Sequence, residues 1–276
     1  DRLLAYQRDN DLEVERLTSR ECRKREPRLS PRIRGGMLVP GDHQVDNRAL
    51  VLALLGACER AGVRMLAGRV AELATQGDRV TGVVLAGGEA RSAGTVVLAA
   101  GCWSGRLGGL AAEALPPVRP VKGQLLYLRG PADQRLCSGN VRGLEVYVVP
   151  RGDGRVVVGA TVEEQGFDTR VTAGSVHDLL RAAMELLPDT AELELLETVV
   201  GLRPGSPDNA PMLGPAGPEG LVVATGHYRN GILLTPVTAD AVAELLATGQ
   251  VPELIAPFGP GRFAGRVAAE GGGRVP

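Results

Sequence analysis

Apolar residues change their spacing several times along this chain, and each change marks an element. Leu50, Leu54, Ala57 and Ala61 recur at helical spacing, with Asp46 placed to cap the helix and Gly62 to end it. Val176, Leu179, Leu180, Ala183 and Leu187 mark a second helix over 175–187, and a third runs from Gly231 through Leu246. Short apolar runs bounded by turn residues read as strands at 35–39, 63–66, 70–74, 80–85, 95–99, 121–128, 145–149, 156–160, 193–202 and 221–224. Pro40-Gly41-Asp42, Gly77-Asp78 and Gly87-Gly88 supply turns. Residues 1–34 are highly charged and read as helical up to a segment broken by Pro27 and Pro31. The Gly- and Arg-rich tail beyond Phe258 is expected to be disordered.

One run behaves differently. Val96-Val97-Leu98-Ala99-Ala100-Gly101 is apolar without alternation, as in a strand covered on both faces of a parallel sheet. Gly101 at its carboxyl end, with Ser104 as a possible cap, predicts a strand–turn–helix site of the kind at which α/β folds bind ligands. The α/β pieces interleave with a β-rich middle. The expected fold class is therefore α/β (α+β), with two intertwined domains.

Composition narrows the function. With 44% hydrophobic residues in 276, the chain is globular and long enough for a sizeable core. A net charge of −1 argues against a nucleic-acid partner held by bulk electrostatics. No unbroken apolar run reaches the length of a bilayer span, and Asp1-Arg2 opens into a polar stretch rather than a signal peptide. The expectation is a cytoplasmic protein without a membrane partner. Cys22, Cys58, Cys102 and Cys137 form no CxxC pair, and no metal-ligand cluster emerges with the three histidines.

Three segments carry candidate chemistry: TVVLAAGCWSG at 95–105, GLRPGSPDNAPMLGP at 201–215 and ATGHYRNGILLTP at 224–236. In the last, a strand ends, a glycine turn follows and a helix begins. A helix N-terminus offers unpaired N–H groups and partial positive charge, which favour an anion. The plain alternative is an ordinary βα turn. Arg203 sits where a strand meets Pro204-Gly205, and its planar fork matches a carboxylate. A surface salt bridge is the alternative there. Lys122, one of only two lysines, reads as a solvated strand charge.

Together with PVKGQ at 120–124, YVVPR at 147–151 and VVGAT at 157–161, these segments resemble, in that order, the D-amino-acid oxidase superfamily of flavoproteins. Within it the chain is most similar to the glycine oxidases of thiamine biosynthesis. The resemblance implies non-covalent FAD, since no cysteine lies in 200–206, where covalent-flavin relatives carry one. It implies that His227, Tyr228, Arg229, Asn230, Gly231, Ile232 and Leu233 lie against FAD, and that the backbone at Val70 contacts its adenine. Arg203, Arg229 and Tyr147 are implied to bind substrate, and Val162 to form part of the pocket wall. No certain acid–base residue is expected, because the cofactor carries the difficult step.

The implied reaction is oxidation of glycine, sarcosine or a small D-amino acid to the 2-oxo acid, ammonia and hydrogen peroxide. Oxygen is the second substrate, the oligomer a tetramer, and the pathway the thiazole branch of thiamine biosynthesis. The alternatives are another D-amino-acid or sarcosine oxidase or dehydrogenase, or an inactive fragment that binds no flavin.

The sequence lacks the GxGxxG turn, with an acidic residue farther on, that a dinucleotide-binding half requires. The family carries that motif at its N-terminus, so the expectation is a truncated chain lacking roughly 80–100 residues, the size of a first dinucleotide-binding half. The expected domains are an FAD-binding domain at 41–107 and 199–258, a substrate domain at 1–40 and 108–198, and a tail at 259–276.

Overall fold

In the computed structural model, which describes residues 2–131 and 134–263, the chain forms two units. The first takes residues up to 57, 123–163 and 169–201; the second takes 58–122, 164–168 and residues from 202 onward. Most of the tail expected to be disordered, from 264 on, lies outside the described residues.

The charged opening is not one helix. It forms α1 (Arg2–Asp9), β1 (Glu15–Thr18) and α2 (Ser19–Arg25). Thr18 is the reason. Its hydroxyl accepts the Glu21 N–H at 3.3 Å while Glu21 Oε2 accepts the Thr18 N–H at 2.7 Å, a reciprocal cap that restarts the helix. β1 then pairs antiparallel with β2 (Gly35–Leu38), Glu15 opposite Leu38. The next helix, α3 (Asn47–Arg60), begins as its pattern predicts, with Asp46 Oδ1 accepting from the N–H groups of Arg48 and Ala49 at 3.0 and 3.2 Å.

Residues 63–66 do not form a strand. Val63, Met65 and Leu66 are exposed, and no strand pairs with them among the described residues. An antiparallel meander follows in β3 (Val70–Gln76), β4 (Arg79–Leu85) and β5 (Ala90–Ser92), turning at the two Gly pairs the sequence marks. β6 (Val96–Leu98) comes next and is shorter than the apolar run that contains it.

The strand β7 (Arg119–Arg129) runs from the second unit into the first. There it shares a sheet of order β11-β7-β10-β9-β8 with β8 (Val141–Arg142), β9 (Tyr147–Pro150), β10 (Arg155–Gly159) and β11 (Glu194–Gly205). The helix α4 (Ala173–Leu186) covers it, and Leu179, Ala182, Ala183 and Leu187 join Leu126, Val148, Val156 and Val158 in one apolar cluster. The buried Gln124 amide ties β7 to the start of α4. Its Nε2 donates to Glu163 Oε1 and Ser175 Oγ, both at 2.9 Å, while its Oε1 accepts the Thr172 N–H at 3.0 Å.

In the second unit, β12 (Met212–Pro215) pairs antiparallel with β13 (Leu221–Thr225), and β13 pairs in parallel with β6, Leu221 opposite Val96. The parallel pairing predicted for the unalternating run is therefore present, but not its cover on both faces, because Val97, Ala99 and Ala100 are exposed and only Leu98 is buried. Leu73, Val80, Leu98, Met212, Leu221 and Val223 form this unit's main core. Contrary to the solvated charge read from sequence, Lys122 is wholly buried, its Nζ 4.0 Å from Asp168 Oδ2.

The longest helix among the described residues, α5 (Gly231–Thr248), buries Ala241, Val242 and Leu245 against Leu213 and Val222. By length and composition alone α5 is apolar enough to cross a membrane, a test that the core helix of a globular protein also passes. Pro236, Asp240 and Glu244 interrupt its apolar run, as the sequence reading has it.

Candidate active site

The site forms where two parallel strands end. Just beyond β6 and within the last residue of β13, Thr225 Oγ1 donates a 2.9 Å hydrogen bond to the Gly101 carbonyl and ties the carboxyl ends together. The chain then turns through left-handed backbone, with φ of 78° at Gly226 and 50° at Tyr228. A Cβ at Gly226 would lie 3.1 Å from Met212 Cε, so glycine serves both the turn and the close approach. The left-handed Tyr228 costs on the order of 1 kcal/mol. It is held because its N–H donates to the Pro204 carbonyl at 2.9 Å, beside a β-bridge between Gly205 and His227. The Arg203-Pro204-Gly205 end of β11 is thus stitched to the His227–Tyr228 turn.

Beside that turn lies a groove of about 580 Å³. Ala99, Gly101, Pro204, Thr225, His227 and Gly231 line it, together with the α5 face that carries Thr238 and Val242. Asn230 leads into α5 without a side-chain cap. The first helical bond runs from the Leu234 N–H to the Asn230 carbonyl, so the N–H groups of Gly231, Ile232 and Leu233 precede the helical ladder. His227 Nε2 pairs with Thr238 Oγ1 at 3.0 Å, and burial pushes the imidazole below its ordinary pKa, so the ring is neutral near pH 7.

The residues singled out from sequence fall into three groups. His227, Gly231 and the β11 end carrying Arg203 come together at the groove. Arg203 is half-buried, and its Nη1 donates to the Lys122 carbonyl at 3.3 Å. Arg229, Asn230, Ile232 and Leu233 continue the turn into α5 but are exposed, Leu233 by 79%. Val70 opens β3 in the separate meander and does not line the groove, and Tyr147 belongs to the first unit, on β9. Ser104 caps nothing: it is buried inside a 3-10 turn at Gly101–Arg106 that has no side-chain cap. Sequence reasoning missed Pro204 and Thr238 as groove residues. Pro204 reads as a strand terminator, and no local pattern links Thr238 to His227.

A family model described as FAD dependent oxidoreductase matches residues 1–245. The chain belongs to that family. This member of the FAD dependent oxidoreductases is 40% identical over 247 residues to the bifunctional protein ThiO/ThiG of Synechocystis sp., covering 86% of this chain and 36% of the relative. It is 35% identical over 260 residues to hydrogen cyanide synthase subunit HcnC of Pseudomonas aeruginosa, covering 93% of this chain and 62% of that one. The crystal structure of glycine oxidase from Geobacillus kaustophilus matches with a TM-score of 0.82 at 37% identity, over 92% of this chain and 68% of that structure. The chain thus spans less than two thirds of the length of the first two relatives. The family and the mixed α/β fold read from sequence are both borne out.

Proposed function

We propose that this chain supplies the flavin-ring wall and the substrate anchor of an FAD-dependent amine oxidase that deaminates glycine, sarcosine or small D-amino acids. The observation that carries this reading is the stitch between the Arg203 end of β11 and the His227–Tyr228 turn, beside a groove at the start of α5. It holds the strand end that carries Arg203 and a helix N-terminus together.

The residues fit the ring end of FAD. Gly101, Ala99 and Gly231 give the groove small walls that a flat ring can approach, and the N–H groups at 231–233 favour a negatively charged edge. The sequence has no GxGxxG for the adenylate half, so stoichiometric binding needs residues beyond these 276. When bound, FAD supplies the two-electron acceptor that oxygen re-oxidises, giving hydrogen peroxide.

The chain's own part is to bind and orient. Arg203 holds the substrate carboxylate through paired charge-assisted hydrogen bonds. The Tyr147 hydroxyl donates to a substrate carboxylate, and Arg229 supports the anion from the turn. His227 stays neutral and keeps the turn in place through Thr238. Water then hydrolyses the resulting imine to the 2-oxo acid and ammonia, or to the 2-oxo acid and methylamine where the substrate is sarcosine. In this reading the FAD-binding domain comprises 41–107 and 199–258 and the substrate domain 1–40 and 108–198. The enzyme assembles as a tetramer and feeds the thiazole branch of thiamine biosynthesis.

The test is a substrate screen of the flavin-loaded protein that carries this chain. Glycine and sarcosine should each yield one peroxide per imine product. Preferential oxidation of D-phenylalanine or D-methionine would move the protein to the general D-amino-acid oxidases.

A further inference from the structure

Tyr147 and Gly159 lie opposite each other on the antiparallel strands β9 and β10. Gly159 is not among the glycines with positive φ, and a cis peptide bond joins it to Ala160. Space makes a demand of its own. A Cβ built on Gly159 would fall 2.5 Å from Tyr147 Cζ and 2.8 Å from Cε2, with the phenolic oxygen equally close. Real Cβ atoms do not approach that near, so the Tyr147 ring lies across β10 only because residue 159 lacks a side chain. Among the described residues the Tyr147 hydroxyl makes no hydrogen bond, while the neighbouring Val148 and Val158 are fully buried and fix the strand pair. The strands are rigid, the ring rests on one of them, and the hydroxyl remains available to a ligand.

We propose that Gly159 is a positioning residue for amino-acid binding: the bare backbone there sets the reach of the Tyr147 hydroxyl, and with it the site's affinity for a carboxylate. The inference rests on the reading above that Tyr147 meets the substrate carboxylate. With any side chain at 159, the ring must swing off β10 and carry its hydroxyl away from that position.

The experiment uses the flavin-loaded protein that carries this chain, with acetate as a minimal carboxylate probe whose Kd is read from the flavin absorbance change. Gly159→Ala should weaken acetate binding and raise the KM for glycine by about tenfold, the scale of one lost hydrogen bond to a charged group. Tyr147→Phe should do the same, and kcat should stay within about twofold in both. Gly159→Ala combined with Tyr147→Ser should bind acetate no worse than Tyr147→Ser alone. A double variant weaker by the full factor would overturn the proposal, because Gly159 would then act through something other than the ring. If Gly159→Ala fails to fold, the double variant should recover folding, and a double variant that also fails would overturn it.

The 19F resonance of fluorotyrosine-labelled protein, assigned with Tyr147→Phe, separates the two readings. Unchanged acetate affinity in Tyr147→Phe would refute the substrate role of Tyr147. A Tyr147 resonance unmoved by Gly159→Ala would refute the positioning role of Gly159.

Discussion

Helices α3 and α4 are each 14 residues long, and each carries an apolar stripe, yet they have opposite fates. α4 starts on the Thr172 cap and buries Leu179, Ala182 and Ala183 against the strands of its own unit. α3 has an equally good cap in Asp46 but buries no residue, and Leu52 is 70% exposed, with Val51, Leu54 and Leu55 also in the open. The difference lies in the partner surface and not in the helix. Other open apolar surfaces follow α3: Ile232 and Leu233 on α5, and the edge of β6, which has a strand neighbour on one side only. Covered regions set stability. Open ones find no partner surface among the described residues.

The sharpest way to break that contrast is substitution in the two stripes. Leu179→Ala should destabilise by about 2–5 kcal/mol in denaturant unfolding, because it empties a closed core. Leu52→Ala should change stability by less than about 0.5 kcal/mol in these 276 residues. Equal losses would mean that α3 is covered after all.

Next in size is Arg203→Ala, one residue before the groove-lining Pro204. It should lower kcat/KM for glycine on the order of a hundredfold, the equivalent of about 2–4 kcal/mol, with flavin content and melting temperature unchanged. Arg203→Lys should recover only part of that, since an ammonium cannot make the fork. Normal glycine kinetics in Arg203→Ala would remove the role assigned to it.

Exposed apolar stripes also predict association. The 276 residues expressed alone should purify colourless and self-associate, and Leu52→Glu with Leu55→Glu should reduce that association in light scattering. A monodisperse yellow preparation with one FAD per chain would show that the cofactor needs nothing further.

The smallest expected effect belongs to His227. Burial lowers its folded pKa, so the unfolded chain binds the proton more readily. Its contribution to stability is therefore fully present above the unfolded value of about 6.5 and is lost as pH falls through the lower folded value. The melting temperature should drop less on acidification in His227→Asn than in the parent. An identical drop would show that the imidazole titrates as it does in water.

Much of this arrangement was legible in local patterns. The α3 cap, the glycine hairpins of the meander, and the unalternating run that became β6 each depend on residues within a few positions of one another. The failures share the opposite cause. Val63–Leu66 is apolar enough for a strand but finds no partner. Met212–Pro215 sits in a Pro-rich stretch in which the sequence reading places no strand, yet β13 recruits it. The burial of Lys122 depends on Asp168, and the place of Thr238 in the groove depends on His227. The strand end at Arg203-Pro204-Gly205 was legible, while the stitch that aligns it with the turn appears only in the fold.

The central claim is that this chain forms the ring wall and anchor of an amine-oxidising flavoprotein. Mixing glycine anaerobically with the flavin-loaded protein tests it most directly. The flavin absorbance should bleach at a rate that saturates with glycine and returns on admitting oxygen, with Arg203→Ala bleaching on the order of a hundredfold more slowly at low glycine. A flavin that stays oxidised with glycine, sarcosine and D-alanine alike would contradict the account.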